Sequence, residues 1–266
     1  MEHEMEPLRL HWASSKKNFG DWLSPAICEL LSGRKAEHAA PGRCELLAIG
    51  SILGRIGHGW FSHRTTVWGS GFIEDQSPIR PRHRYCAVRG HRTAERIKGA
   101  TIEALGDPGL LCGMLVPGWK DIVKKHPIGV IPHYKDRHHP AVAAFLAGHP
   151  GSVALDVFTE PVELLRKIAE CEFVLSSSLH GLVVSDAFQV PNVWVEISGP
   201  LRGDRFKFSD YYSVFGIPKP QPLDLQRGVQ PPTIEKIRNL YERSGLEKIQ
   251  QDLVASFPFS KAAASR

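Results

Sequence analysis

The stretch Glu172-Phe-Val-Leu-Ser-Ser-Ser-Leu-His-Gly181 sets an apolar run against three serines, a histidine and a glycine. Phe173 to Leu175 read as a buried parallel strand reaching its carboxyl end. Leu182 to Phe188 are apolar nearly all round, as in a helix buried in the middle of a protein. A strand, a tight polar turn and a buried helix present backbone N–H groups at a helix start, where an anion can sit. Ser177, Ser178, Leu179 and Gly181 would form that turn, and His180 is placed to touch a phosphorylated ligand. A plainer reading also fits: Ser176 to Ser178 only cap the helix, and His180 is a satisfied core histidine.

Other residues capable of chemistry fall at the ends of apolar runs. Asn18-Phe-Gly-Asp21 follows the first of them, with Asn18, Gly20 and Asp21 at the carboxyl end of a strand, where ligands bind in doubly wound sheets. Asp21 equally suits a carboxylate in the first turn of a helix. Two more runs end in Gly-Ser, at Ser51 and Ser70, exits that let a ligand or another backbone come close. Arg89 stands at a further strand exit on the same expected rim. The arginines from Arg80 to Arg96 read either as a solvated basic face or as an anion clamp. His133 lies in a loop after the strand Ile128 to Tyr134. Arg202, Arg205 and Lys207 lie in a charged, glycine-containing loop from Gly199 to Asp210.

These residues need elements to hold them. Strands are expected at Leu8–Trp12, Glu45–Ser51, Thr65–Gly71, Arg84–Gly90, Ile128–Tyr134, Ser152–Val157 and Asn192–Ile197, besides the one before the serines. Ser24 and Pro25 make an N-cap and first helical position for a helix with Ile27, Leu30 and Leu31 inward and Gly33 as its stop. Helices are also expected at Thr93–Lys98, Pro140–Ala147 and Pro161–Glu170. A long amphipathic helix is expected from Thr233 to Val254. Leu105-Gly-Asp-Pro-Gly109 and Pro117-Gly118 read as breaks, which places a domain boundary there. Alternation of strand and helix argues for parallel sheets covered on both faces. The fold class expected is α/β, with a cleft between two sheets. The division is 1–112, 113–232 and a C-terminal helix and tail at 233–266, the segment from Pro218 to Pro232 serving as a proline-rich connector.

Composition narrows the partners. The 266 residues carry a net charge of +5, which favours phosphorylated small molecules, acidic glycans, anionic membrane or nucleic acid. The five cysteines are widely spaced and contain no CxxC pair, so neither a disulfide framework nor a zinc site is indicated. A reducing compartment fits them best. The N-terminal residues do not read as a signal peptide, and no apolar run approaches a membrane span. A cytoplasmic location is expected.

Taken together, Asn18-Phe-Gly-Asp21, Ala48-Ile-Gly-Ser51, Trp68-Gly-Ser-Gly71, Val88-Arg-Gly90, Leu105-Gly-Asp-Pro108, Val130-Ile-Pro-His-Tyr134, Ser176-Ser-Ser-Leu-His-Gly181 and Lys207-Phe-Ser-Asp210 resemble the polysaccharide pyruvyltransferase family, in the family's order. The Asn-Phe-Gly-Asp start and the small size are most similar to its exopolysaccharide ketal branch, of the xanthan and succinoglycan type. The resemblance implies two Rossmann-like domains in a glycosyltransferase-B-like arrangement, the first on the acceptor side and the second on the donor side. It implies phosphoenolpyruvate as donor, with no further cofactor and no metal, and a sugar diol as acceptor. It implies a lipid-linked oligosaccharide or polysaccharide as the acceptor's carrier, hence a possible peripheral position at the inner face of the plasma membrane. By the same resemblance His180, beside Leu179, contributes to the donor site, and Asp21 is a catalytic acid or base. Where some members have arginine before Leu-His this chain has Ser178, so Arg89, Arg202, Arg205 or Lys207 would have to supply the missing cation.

Ketal formation from an enol phosphate requires protonation of the methylene carbon while a sugar hydroxyl attacks its neighbour. Cations must hold phosphate and carboxylate throughout. Asp21 and His180 across a cleft could share the acid and base roles in either assignment. His133, His138 and His139 are close in sequence, but their spacing matches no helix-face ligand pair. The alternative enzyme is a nucleotide-sugar glycosyltransferase of the same fold. A nucleic-acid module is disfavoured, because the basic stretch has only Tyr85 as an interleaved aromatic and no recognition motif. Lys236, Arg238, Arg243 and Lys248 on the C-terminal helix suggest attachment to an anionic bilayer; the competing expectation is that this helix packs back across the first domain.

Overall fold

The computed structural model describes residues 6–16, 18–199, 205–217, 219–225, 235 and 241–260. Six strands, β1 (Leu8–His11), β2 (Ala36–His38), β3 (Leu46–Leu47), β4 (Thr66–Trp68), β5 (Arg84–Val88) and β6 (Ile102–Leu105), form one sheet in the order β2-β1-β3-β4-β5-β6. Five more, β7 (Gly129–Ile131), β8 (Val153–Ala154), β9 (Val174–Ser176), β10 (Asn192–Glu196) and β11 (Leu223–Asp224), form a second in the order β11-β10-β9-β7-β8. Every pairing in both is parallel. Each sheet therefore starts at an inner strand, adds its second strand on one side and its third on the other. That reversal opens a crevice at the carboxyl ends of the first and third strands. The chain is α/β with two parallel sheets, consistent with two Rossmann-like units.

β2, β6 and β11 were not expected from the sequence. β2 is Ala-Glu-His, exposed, at the sheet edge, and short polar edge strands carry no apolar run to betray them. β6 contains only one fully buried residue, Ala104. β11 has two residues and lies in the segment read as a connector.

Seven α-helices are bounded within the described residues: α1 (Phe19–Ser32), α2 (His91–Glu95), α3 (Pro140–Gly148), α4 (Pro161–Ala169), α5 (Leu179–Ala187), α6 (Phe206–Ser213) and α7 (Leu246–Ala255). α1 begins six residues before the expected start at Pro25. Asn18, with extended φ and ψ, caps it by accepting from the Asp21 N–H, and Pro25 is accommodated within the helix. Gly33, at φ 70°, ends it by donating to Glu29 O. α5 likewise begins earlier than expected, so His180 lies in its first turn rather than before it.

Two corrections concern the C-terminal third. The expected charged loop up to Asp210 is helix α6 from Phe206 onward, because Phe206, Phe208, Tyr211 and Tyr212 bury one face. The long helix from Thr233 to Val254 is not continuous: Tyr241, Glu242 and Arg243 are non-helical, and Gly245 at φ 78° precedes α7. Ile234, Ile237 and Leu240, and with them Lys236 and Arg238, lie outside the described residues. Arg243 does not face outward; its Nε donates to Asp186 at 2.9 Å with a side chain only 7% exposed. α7 packs against the first sheet, where Leu253 is fully buried and its carbonyl accepts from Trp68 Nε1 at 2.9 Å.

One hydrophobic cluster spans both sheets. Leu8, Leu10, Leu46 and Trp68 of the first join Ile131 and Val174 of the second through Leu23 and Ile27 of α1 and Leu182 to Val184 of α5. The segment expected as a break is a 3₁₀ turn, Pro108–Leu115, wedged between α1 and α5 with Leu110, Leu111 and Cys112 buried. It sets the spacing of the two helices whose N-termini face the cleft.

Candidate active site

The crevices of the two sheets open into one cavity of about 430 Å³. From the first sheet come the loop after β1, with Lys16, Asn18 and Asp21, and the exit of β3, with Ile49 to Ile52 and Arg55. From the second come the exit of β7, with His133, Tyr134 and Lys135, and the exit of β9, with Ser178, Leu179 and His180. Lys207 of α6 completes the wall. The first and third strands of each half thus supply most of the lining, as the strand orders require.

Asp21 is the one carboxyl among the described residues of the cavity. It sits in the first turn of α1, where Asn18 Nδ2 donates to Asp21 Oδ2 at 2.8 Å while Asn18 Oδ1 accepts from the Asp21 N–H at 3.1 Å. This reciprocal pair is a variant of the capping box in which the Asn18 side-chain amide, not its backbone N–H, donates to the acid. Burial pushes the Asp21 carboxyl up from 3.8 to about 7; the Asn18 hydrogen bond and the Arg55 charge oppose that without cancelling it.

His180 faces Asp21's neighbour from the other half. A Cβ on Gly20 would stand 2.2 Å from His180 Nδ1, so only a glycine lets the imidazole lie this close to the start of α1. Gly181 has a comparable reason: its Cβ would meet Ser176 Oγ at 2.3 Å, and its absence lets α5 rise tightly from β9. His180 Nε2 is sealed from solvent and has no hydrogen-bond partner among the described residues. Burial, with the Lys207 and Arg89 charges added, pulls its pKa down to about 4, so the ring is neutral at pH 7. His133 is drawn down to about 4 by burial first and then by Lys207. The Ser178 side chain makes no capping bond to α5, leaving the first-turn N–H groups uncapped by it.

Among the described residues, four cations line the cavity against one carboxyl: Lys16, Arg55, Lys135 and Lys207. Lys207 has no ion-pair partner among the described residues; its Nζ lies 5.1 Å from the Phe208 ring centre. Burial, then Arg89 and Lys135, lowers it to about 8, so it is still mostly charged at pH 7. Lys16 Nζ lies over the Tyr134 ring at 5.3 Å, joining the lips contributed by the two halves. Such a field suits a compact ligand bearing more than one negative charge.

The structure sorts the residues expected at the site into two groups. Asn18, Asp21, Ser51, His133, Ser178, Leu179, His180 and Lys207 line the cavity. Gly20 and Gly181 stand behind it and set the approach of α1 and α5. Arg89 is fully buried and pairs with Asp210 Oδ2 at 2.9 Å; it reaches the cavity only through Ser51 Oγ, to which its Nη1 donates at 2.5 Å. Ser177 is internal too: its Oγ accepts from the His133 N–H at 2.8 Å and lies 3.2 Å from Asp136 Oδ2. Ser70 Oγ donates to Gly50 O at 2.9 Å, fixing the β3 exit. Arg205 donates to Gln221 at 2.8 Å and is not among the cavity residues, while Arg202 lies outside the described residues. Of the three described cations offered in place of the missing arginine, Arg89, Arg205 and Lys207, Lys207 is at the cavity wall. Sequence reading missed Lys16, Arg55 and Lys135, which stand beside recognised motifs as ordinary surface lysine and arginine.

Comparison with known proteins bears on this cavity. The family model described as polysaccharide pyruvyl transferase matches residues 64–199, just over half of the chain. That span contains His133 and His180 but neither Asp21 nor Lys207. The chain is 26% identical over 234 residues to protein L143 of Acanthamoeba polyphaga mimivirus, covering 83% of this chain and 79% of that one. It is also 26% identical over 215 residues to the succinoglycan biosynthesis protein ExoV of Rhizobium meliloti (strain 1021), covering 78% of this chain and 64% of ExoV. With a family match over more than half its length, the chain belongs to the polysaccharide pyruvyl transferase family and is an enzyme of that type.

Proposed function

We propose that the cavity binds phosphoenolpyruvate and transfers its three-carbon unit to two hydroxyls of an exopolysaccharide sugar, forming a pyruvate ketal and releasing phosphate. The observation that carries this reading is that the described residues of a single cavity pair four cations with one protonatable carboxyl and two neutral histidines, His133 and His180. The donor carries a phosphate and a carboxylate, and Lys207, Lys135, Lys16 and Arg55 match both. The strand orders, which match over the first five strands of each sheet, and both reversal points on one cavity support a glycosyltransferase-B-like arrangement with the donor against the second half.

Asp21, held at about 7, is about half protonated at neutral pH, and its protonated form is the acid for the methylene carbon. As that carbon takes the proton, the adjacent carbon becomes electrophilic, and a sugar hydroxyl adds to it. His180 is neutral and lines the cavity, and its ring takes the hydroxyl proton. The C–O bond to phosphate then breaks, phosphate leaves with its electron pair, and the second hydroxyl closes the ring with loss of its proton. The cations stabilise the leaving phosphate in a cavity shielded from bulk water.

The acceptor reading rests on the likeness to ExoV, whose name places that protein in succinoglycan biosynthesis. A lipid-linked oligosaccharide repeat unit is the form we expect for the acceptor, and a cytoplasmic site of action follows from the donor. The test is mass spectrometry of candidate oligosaccharides incubated with phosphoenolpyruvate. The expected product gains one carboxyethylidene group with release of one phosphate. Transfer from nucleotide sugars, with none from phosphoenolpyruvate, would overturn the reading.

A further inference from the structure

The most exposed large apolar side chains among the described residues are adjacent: Trp60 at 84% and Phe61 at 97%. Single exposed apolar residues are ordinary; two neighbouring aromatics at the tip of one loop are not explained by packing. The loop is also held in shape. The Ser62 N–H donates to Gly59 O at 3.0 Å, and Arg82 Nε and Nη2 both donate to Ser62 O, at 3.0 and 2.8 Å. His63 Nε2 lies 3.1 Å from Cys44 O, fastening the other side. The tip is thus a preformed projection, and little ordering cost remains for whatever it enters.

Its surroundings are cationic. Arg64 follows the aromatics and is exposed; Arg43 adjoins Cys44, to which the loop is tied, and is also exposed. Neither makes an ion pair with any described residue. Arg82 stands at the base. Cys44 precedes β3 and Arg82 precedes β5, so the tip lies toward the amino edge of the first sheet. The cavity opens at the carboxyl edge. Occupying the tip leaves the cavity unobstructed.

The geometry points to an anionic lipid bilayer as the partner of this tip, with Trp60 and Phe61 entering the interfacial region and Arg43 and Arg64 resting on the headgroups. Tryptophan has an apolar body and a polar N–H suited to that boundary, and arginines beside an aromatic wedge add attraction to anionic lipid. No helix among the described residues is long and apolar enough to cross a membrane, so the attachment is peripheral. The inference does not depend on the reaction proposed above.

The test is flotation of the full chain with phosphatidylglycerol–phosphatidylcholine vesicles, without donor or acceptor. The parent protein should float at low salt and be released at high salt or by pure phosphatidylcholine. W60S/F61S should lower partitioning at least tenfold, with an unchanged melting temperature because both side chains are solvated. R43Q and R64Q should each lower it about fivefold and flatten the salt dependence. F61S alone, expected to be intermediate, serves should the double variant melt lower. Failure of the parent to float, or equal flotation of all variants, overturns the proposal. So does a double variant that keeps vesicle binding but loses binding to soluble exopolysaccharide, which would make the tip a sugar-stacking platform.

Discussion

In the proposed mechanism the adjacent residues Gly20 and Asp21 divide the work of positioning and proton transfer. Burial raises the Asp21 carboxyl from 3.8 to about 7. Folding therefore favours its protonated form, and that contribution to stability is complete below about pH 4 and lost as pH rises through about 7. Asp21→Asn removes the ionisable group and keeps the shape. It should melt above the parent at pH 8, by roughly 1–3 kcal/mol in unfolding free energy, with the difference closing toward pH 4. Turnover should nevertheless fall by about 10²–10⁴-fold. In the parent, the rate at low donor should decline as pH rises through about 7, as the acid is lost. Gly20→Ala tests position alone. Its new Cβ would stand 2.2 Å from His180 Nδ1 and 2.9 Å from His180 Cβ, so the whole side chain must shift; turnover should drop at least tenfold, with a lower melting temperature than the parent. Single-turnover rates and melting curves on both variants check these outcomes. A Gly20→Ala enzyme with the parent's rate would remove His180 from its place in the mechanism.

Among the elements, α6 is the one that binds the halves together at the site. It carries Lys207 to the cavity, and its Asp210, three residues on, is fully buried in the first half. There Asp210 accepts from Arg89 Nε at 2.9 Å, from the Thr93 N–H at 2.8 Å and from Thr93 Oγ1 at 2.7 Å. Arg89 in turn donates to Phe72 O at 2.6 Å and holds Ser51 at the β3 exit. Asp210→Ala would leave the Arg89 guanidinium buried without its counter-charge. The expected cost is about 3–5 kcal/mol, since a lone buried charge is far worse than the pair. Urea titration should show a lower midpoint with an unchanged slope, and donor affinity should weaken with the displaced Lys207. A midpoint within experimental error of the parent would mean that α6 is held by its aromatic face instead.

At the scale of the whole molecule, the two sheets share one core. Phe19 N donates to Val157 O at 3.0 Å, tying α1 to the second half, and α7 returns the chain to the first. The halves are built like separate units but packed as one. Calorimetry should therefore give a single cooperative transition rather than two. Phosphoenolpyruvate at about 100 times its dissociation constant should shift that whole transition, adding about 2.7 kcal/mol. Two resolved transitions, with only the later one moved by donor, would show that the second half folds and binds independently.

Local pattern made much of this legible. The strands β1, β3, β4, β5, β7, β8, β9 and β10 could be placed from their apolar residues, several of them, β3, β4, β5, β9 and β10, leading into Gly or Ser, and the alternation with helices gave the α/β class. Short polar edges could not: β2 is only three residues. The α1 start was missed because Pro25 is a stronger local signal than the capping exchange between Asn18 and Asp21, which depends on both side chains meeting. The helical identity of Phe206 to Ser213 was hidden by its charged residues, and becomes clear only once its aromatics have a surface to bury against.

By itself, the sequence determined the class of fold, the family, and the motifs at which chemistry could occur, because strand exits and glycine turns are local features of residue type and spacing. Only the tertiary structure decided what each motif does. Arg89 and Lys207 are both cations beside recognised motifs, yet one is consumed by Asp210 inside the protein and the other is left at the cavity wall. Asp21 and His180 are far apart along the chain, and their altered proton affinities arise from burial that neither has until the halves close on one another. Desolvation and through-space charge depend on what surrounds a group in three dimensions, and no reading of its neighbours along the chain supplies that.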